Sequence, residues 1–124
     1  MKRLSIASNI TLEEIDKQFR EKYPYLKLVF FQQPPDFLLN VHHLHDQIKS
    51  KTVSEFNSQI ESFDLELNDE METGVFEKQL SNALRINVQI FRKSGFDKWI
   101  ETSQTDFWTL EQQNAEGKSE STLN

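Results

Sequence analysis

Three groups of residues in this chain have the types and spacing to do chemistry. His42, His43, His45 and Asp46 form the one concentration of metal-type ligands, and borderline divalent ions accept imidazole and carboxylate together. Their spacing is poor for a closed site. The i, i+4 pair on a helix is His42 with Asp46, leaving His43 and His45 two apart as in a strand or loop, and the chain has no other histidine and no cysteine to complete a coordination sphere. Solvated histidines are therefore expected, with no metal or other cofactor. Phe30, Phe31 and Phe91 sit at matching places in two similar segments, as do the base-stacking aromatics of some RNA-binding modules. No Gly-aromatic RNA-binding motif or basic frame accompanies them, so core packing is the expectation. The third group is C-terminal. Arg92, Lys93, Phe96, Trp99, Phe107 and Trp108 combine large aromatics with cations, a composition found at interface hot spots and also where a hairpin and a helix pack on each other.

Several function classes lose ground on composition and motifs. The chain has only three glycines, widely separated, with no phosphate-cradling loop, no dinucleotide fingerprint and no Ser-His-Asp order supported by glycine turns. Acid and base pairs among its many carboxylates are a matter of geometry that the sequence leaves open. Residues 1–60 carry eight Lys or Arg against seven Asp or Glu, and residues 61–124 carry six against thirteen, so the net charge of −6 arises in the second half. That disfavours nucleic acid, whose phosphates need clustered cations. The absence of cysteine excludes a disulfide framework and a thiolate nucleophile and agrees with a cytoplasmic setting. Neither a long apolar h-region after Met1-Lys2-Arg3 nor a stretch long enough to span a bilayer is present, so no membrane association is expected.

The elements that must position these residues occur twice. Leu4-Ser5-Ile6 matches Leu65-Glu66-Leu67, Ile10 matches Met71, and Lys17-Gln18-Phe19 matches Lys78-Gln79-Leu80, at an offset of 61 that closes to 60 where Val29-Phe30-Phe31 meets Gln89-Ile90-Phe91. Thr11-Leu12-Glu13-Glu14 is a capping box for a helix with Leu12, Ile15 and Phe19 on one face, and Pro24 ends it. In the second unit Asp69 and Glu72 offer an N-cap and its partner for a helix carrying Phe76, Leu80 and Leu84. The run Lys93-Ser94-Gly95-Phe96-Asp97 then turns the chain into a fifth strand at Trp99-Ile100-Glu101-Thr102. Between the units, Gln32-Gln33-Pro34-Pro35-Asp36 reads as a turn, and Val41, Leu44 and Ile48 fall at helical spacing. Thr52-Val53-Ser54-Glu55 is a further capping box, and Thr109-Leu110-Glu111-Gln112 starts a short last helix.

The segments Phe91-Arg92-Lys93-Ser94-Gly95, Trp99-Ile100-Glu101-Thr102, Thr105-Asp106, Trp108-Thr109-Leu110 and Gln113-Asn114 resemble the C-terminal signature of an uncharacterised family of small acidic bacterial proteins. A similar strand–helix–strand half precedes it there, so the resemblance spans most of the chain but is specific only from Phe91 onward. It implies no activity. Where the family carries a capping Thr and a Val after the methionine, this chain has Glu72-Thr73, and the His-rich insert is not part of the pattern.

The sequence thus leads to an α+β two-layer sandwich resembling the ferredoxin-like βαβ–βαβ arrangement, with an extra C-terminal hairpin strand and a short helix. A ubiquitin-like roll is the alternative. A single pseudo-symmetric domain is expected over residues 1–114, with repeat units at about 1–31 and 61–92, an insert at 32–60 that turns its histidines outward, and a disordered tail at 115–124. The functional expectation is a non-catalytic intracellular protein-interaction module that binds a protein partner or itself. A small metal-dependent or hydrolytic enzyme using the His-rich insert is the alternative.

Overall fold

The computed structural model describes residues 2–32 and 41–122. In the first unit, β1 (Arg3–Ile6) turns Leu4 and Ile6 inward and Arg3 and Ser5 outward. Thr11 Oγ1 accepts the Glu14 amide at 3.2 Å and starts α1 (Leu12–Lys22), which buries Leu12, Ile15 and Phe19. Pro24 bars further helix, and β2 (Leu26–Phe31) follows with Leu26, Leu28, Val29 and Phe30 all buried. The second unit runs through β3 (Phe63–Glu66), α3 (Thr73–Leu84) and β4 (Asn87–Lys93), and a turn at Gly95, whose φ is +80°, leads into β5 (Trp99–Glu101). Between the units lies α2 (Val41–Ile48), and α4 (Leu110–Thr122) closes the chain. The turn expected at Gln33 to Asp36 lies outside the described residues. Among those described, no helix is long and apolar enough to cross a membrane.

The α+β class stands, with α1 and α3 layered on small antiparallel sheets and with the added hairpin strand in place. Among the described residues the single sheet of a ferredoxin-like arrangement does not form: β1 pairs there only with β3, and β2, β4 and β5 make a separate sheet. Each strand pairs with its own counterpart in the other unit, Leu4 opposite Leu65 and Leu28 opposite Ile90, so the two ladders share no strand. The same register corrects the repeat. Residues 26–31 and 88–93 have the same sequence of buried and half-buried positions, so the offset opens to 62 in the second strand. The α3 helix, at 12 residues against 11 for α1, absorbs the difference, and Arg85 closes it in the left-handed conformation at φ 60°.

The duplication also reaches into the segment expected to be an insert. Ahead of α1, the amides of Leu12 and Glu13 donate to the carbonyls of Lys51 and Lys49, while those of Val53 and Ser54 donate to Ile10 and Ser8. Ahead of α3, the amides of Thr73 and Gly74 donate to Trp108 and Asp106, and those of Leu110 and Glu111 to Met71 and Asp69. The two sets superimpose residue for residue, with Thr52 and Thr109, 57 apart, as the matching centres. These bonds satisfy the first two orphan amides of each helix. They also explain why the expected Asp69 cap is not used: Glu72 precedes α3 without a side-chain cap, and Asp69 accepts from the Tyr23 hydroxyl at 2.7 Å instead.

The core joins both halves, with the Phe19 and Phe76 rings stacked at 5.3 Å where α1 meets α3. Residues 115–122, expected to be a disordered tail, continue α4. Polar groups hold that helix: Asn114 Oδ1 accepts the Tyr25 amide at 2.9 Å, Gln113 Oε1 accepts from Arg92 at 2.8 Å, and Glu120 pairs with Arg92 at 3.1 Å. Gly117 lets the backbone lie against Tyr25, since a Cβ there would stand 2.8 Å from the Tyr25 Cβ. Gly117→Ala is therefore expected to destabilise the protein by about 1–2 kcal/mol, the clash outweighing the helix propensity gained by Ala. Urea melts of the variant beside the parent measure this, and a gain in stability would mean that α4 does not lie flush on Tyr25.

Candidate functional site

The histidines expected to face solvent do so only in part. On α2, His42 and His45 stand three residues apart and share the inward face, while His43 is exposed. The His45 ring stacks on Phe30 at 5.8 Å, and its Nδ1 accepts the Phe30 amide at 2.9 Å. His42 meets Phe91 edge-on at 4.5 Å. Phe30 and Phe91 are thus buried beneath imidazoles and offer no platform for a base, and Phe31 is half-buried. The i, i+3 spacing of His42 and His45 was the available signal. Asp46 pairs with Lys49 at 3.5 Å, and among the described residues no three His, Asp or Glu side chains converge as metal ligands.

What α2 does is close the outer edge of β2. An edge strand carries unpaired amides, and here Asp16 Oδ1 takes that of Leu28 at 2.7 Å while His45 takes that of Phe30. On the other unit Glu77 Oε2 accepts the Ile90 amide at 2.6 Å, and Thr102 Oγ1 donates to the Ile90 carbonyl at 2.8 Å. Each role sets a protonation state. Burial pushes the His45 imidazole down to about 4, leaving Nδ1 free to accept. Burial raises the Asp16 carboxyl despite the Leu28 amide. Glu77 is pushed up to about 7, first by burial and then by Asp106 and Glu101, against the lowering effect of the Ile90 amide.

Between α1, the β2 edge and α2 lies a cleft of ≈ 330 Å³ lined by Asp16, Arg20, Lys27, His45, Asp46 and Lys49, among others. Arg20 and Lys27 both approach the Trp99 ring, with Lys27 Nζ 4.7 Å and the Arg20 guanidinium carbon 5.3 Å from its centroid. Burial, then Arg20, lowers the Lys27 ammonium below its usual value.

The six C-terminal candidates separate. Arg92 is only 8% exposed, bound by Gln113 and Glu120, and lies over the Trp108 ring at 5.4 Å. Gln113 in turn donates to the Thr105 carbonyl at 2.7 Å, so Arg92, Thr105 and Gln113 of the Phe91-onward signature belong to a polar network that docks α4. Trp99, Trp108 and Lys93 are half-buried. Phe96, at the hairpin tip, is 89% exposed and Phe107 64% exposed. A residue that the sequence reading did not single out, Val75 on α3, is 47% exposed. It follows Gly74, whose amide donates to the carbonyl of Asp106, the residue before Phe107. No protein-family model, curated protein or solved structure matches this chain.

Two outcomes check this geometry. His45→Leu strands the Phe30 amide and is expected to cost about 1–3 kcal/mol, whereas the exposed His43→Gln should change stability by less than about 0.5 kcal/mol. Thermal melts of both variants decide it, and equal effects would contradict the edge-closing role. For Glu77 the folded state holds its proton to higher pH than the unfolded chain does. The stability this lends is full below pH 4.5 and is lost as the pH rises through about 7. Glu77→Gln, which keeps an acceptor for Ile90, should therefore flatten the pH dependence between those limits and stabilise the protein above pH 8 by on the order of 2 kcal/mol. Parallel pH slopes for variant and parent would refute the burial of this acid.

Proposed function

We propose that the protein is a non-catalytic protein-interaction module whose docking surface is centred on Val75 and Phe107 and takes a basic segment with an apolar anchor. The observation that carries this reading is a comparison within the molecule. By the matched backbone bonds, Val75 corresponds to Glu14 and Phe107 to Ser50, and both of those are exposed. The fold is therefore built with polar residues at these places in its first half. Two exposed apolar side chains in the second half meet no need of folding, and such residues anchor interfaces. Beside them runs a shallow groove of ≈ 400 Å³ whose lining includes Glu72, Asp106 and Lys78. The acidic excess of residues 61–124 favours a basic partner and opposes a second copy of the same face.

The correspondence also supplies the variants. Val75→Glu with Phe107→Ser installs the residues that the first half already tolerates, so the melting midpoint should stay within about 2 °C of the parent. Affinity capture from the native host by the intact chain should retain a protein that the double variant loses and that rising salt releases. A partner held equally by both forms, or held without regard to salt, would overturn the assignment. Sedimentation of the parent alone reports self-association, and a dimer abolished by the double variant would replace the basic partner with a second copy.

A further inference from the structure

The cleft between α1, the β2 edge and α2 is a second place where the halves diverge, and it is independent of the face carried by Val75 and Phe107. The corresponding part of the other half has β5 laid along β4, and its residues are Ser81 for Arg20, Gln89 for Lys27 and Asp106 for Lys49. The first half thus gathers three cations where the second has none. Two of them are matched by acids: Arg20 lies 3.9 Å from Asp16, which is itself bound to the Leu28 amide, and Lys49 lies 3.5 Å from Asp46. Lys27 makes no ion pair among the described residues, and Glu13 stands exposed at the rim. Lys27 is held half-buried against Trp99 with the Arg20 guanidinium on the same ring, although like charges so placed repel.

We propose that this cleft is a binding site for a doubly charged oxyanion of the phosphate type, seated between the Lys27 ammonium and the Arg20 guanidinium. An oxyanion there relieves the repulsion between the two cations and accepts from both, the guanidinium fork giving two parallel bonds. Trp99, which the sequence placed among partner-binding residues, then serves as a platform for cations.

Inorganic phosphate, titrated into the intact chain at constant ionic strength and followed by calorimetry and by tryptophan emission, tests this. Saturable one-site binding is expected. Acetate, singly charged, should bind more weakly by about tenfold. Lys27→Gln and Arg20→Ser place in the cleft the residues found at the matching positions of the folded second half, so both variants should keep the parental melting midpoint and lose phosphate affinity by about tenfold or more. A phosphate response that does not saturate, an acetate affinity equal to that for phosphate, or undiminished binding by both variants would overturn the proposal.

Discussion

A carboxylate in the middle of each principal helix accepting the amide proton of the strand residue nearest the pseudo-twofold axis is the interaction on which the arrangement depends. Leu28 and Ile90 face each other across the central ladder, and their amides turn outward to Asp16 and Glu77. Facing residues of an antiparallel pair alternate between exchanging hydrogen bonds and turning them away, so a ladder centred on such a pair leaves two amides without a strand partner. Buried amides must be satisfied, and an acid on the packed helix supplies the acceptor in each half. The requirement fixes each helix to its strand at one level. It also explains why two acids stay in a partly buried setting that raises both of them.

The beginnings of the helices obey the same necessity by another means. Four backbone bonds join each helix start to a returning segment around Thr52 or Thr109, and the pattern is the same in both halves. What lies between a second strand and its returning segment is then free to differ. The first half places α2 there and closes the β2 edge with an imidazole, and the second uses β5 and the Thr102 hydroxyl. An edge strand has to be covered, and a side-chain acceptor and a further strand are two solutions to one problem.

Local features were legible in the sequence because they are written in neighbouring residues. The Thr11 cap, the Leu12, Ile15 and Phe19 stripe, the hairpin at Gly95 and the repeat itself all follow from short-range patterns. The division into two sheets was not legible. Alternating strands carry the same pattern whether β1 joins the β2 ladder or pairs alone with β3, and the choice is one of partner. The capping box at Thr109 marked the start of α4 but not its length, because apolar periodicity does not hold the rest of it: Gln113 and Gly117 are buried beside Leu110, and the Arg92 partners come from 21 and 28 positions away. Arg92 looked like a surface cation for the same reason. Of the C-terminal aromatics, only Phe96 and Phe107 remain largely exposed, because Trp99 and Trp108 each carry a cation on the ring.

A duplicated fold contains its own reference state, and that is the strongest lever for reading function in a chain without reaction motifs. Positions where the halves agree in chemistry, such as Asp16 with Glu77 or Leu4 with Leu65, answer to packing and hydrogen bonding that both halves require. Positions where they disagree while the backbone stays matched are released from that requirement, since one half shows that the fold accepts the alternative. Glu14 against Val75 and Ser50 against Phe107 differ on the solvent side, where burial gives an apolar side chain little stabilisation. Arg20 against Ser81 and Lys27 against Gln89 differ beside a cleft, where the gathered cations repel. In each case the costlier chemistry stands in one half only. The stability of the fold does not account for it, since the other half folds without it, and that difference is the basis of both binding proposals.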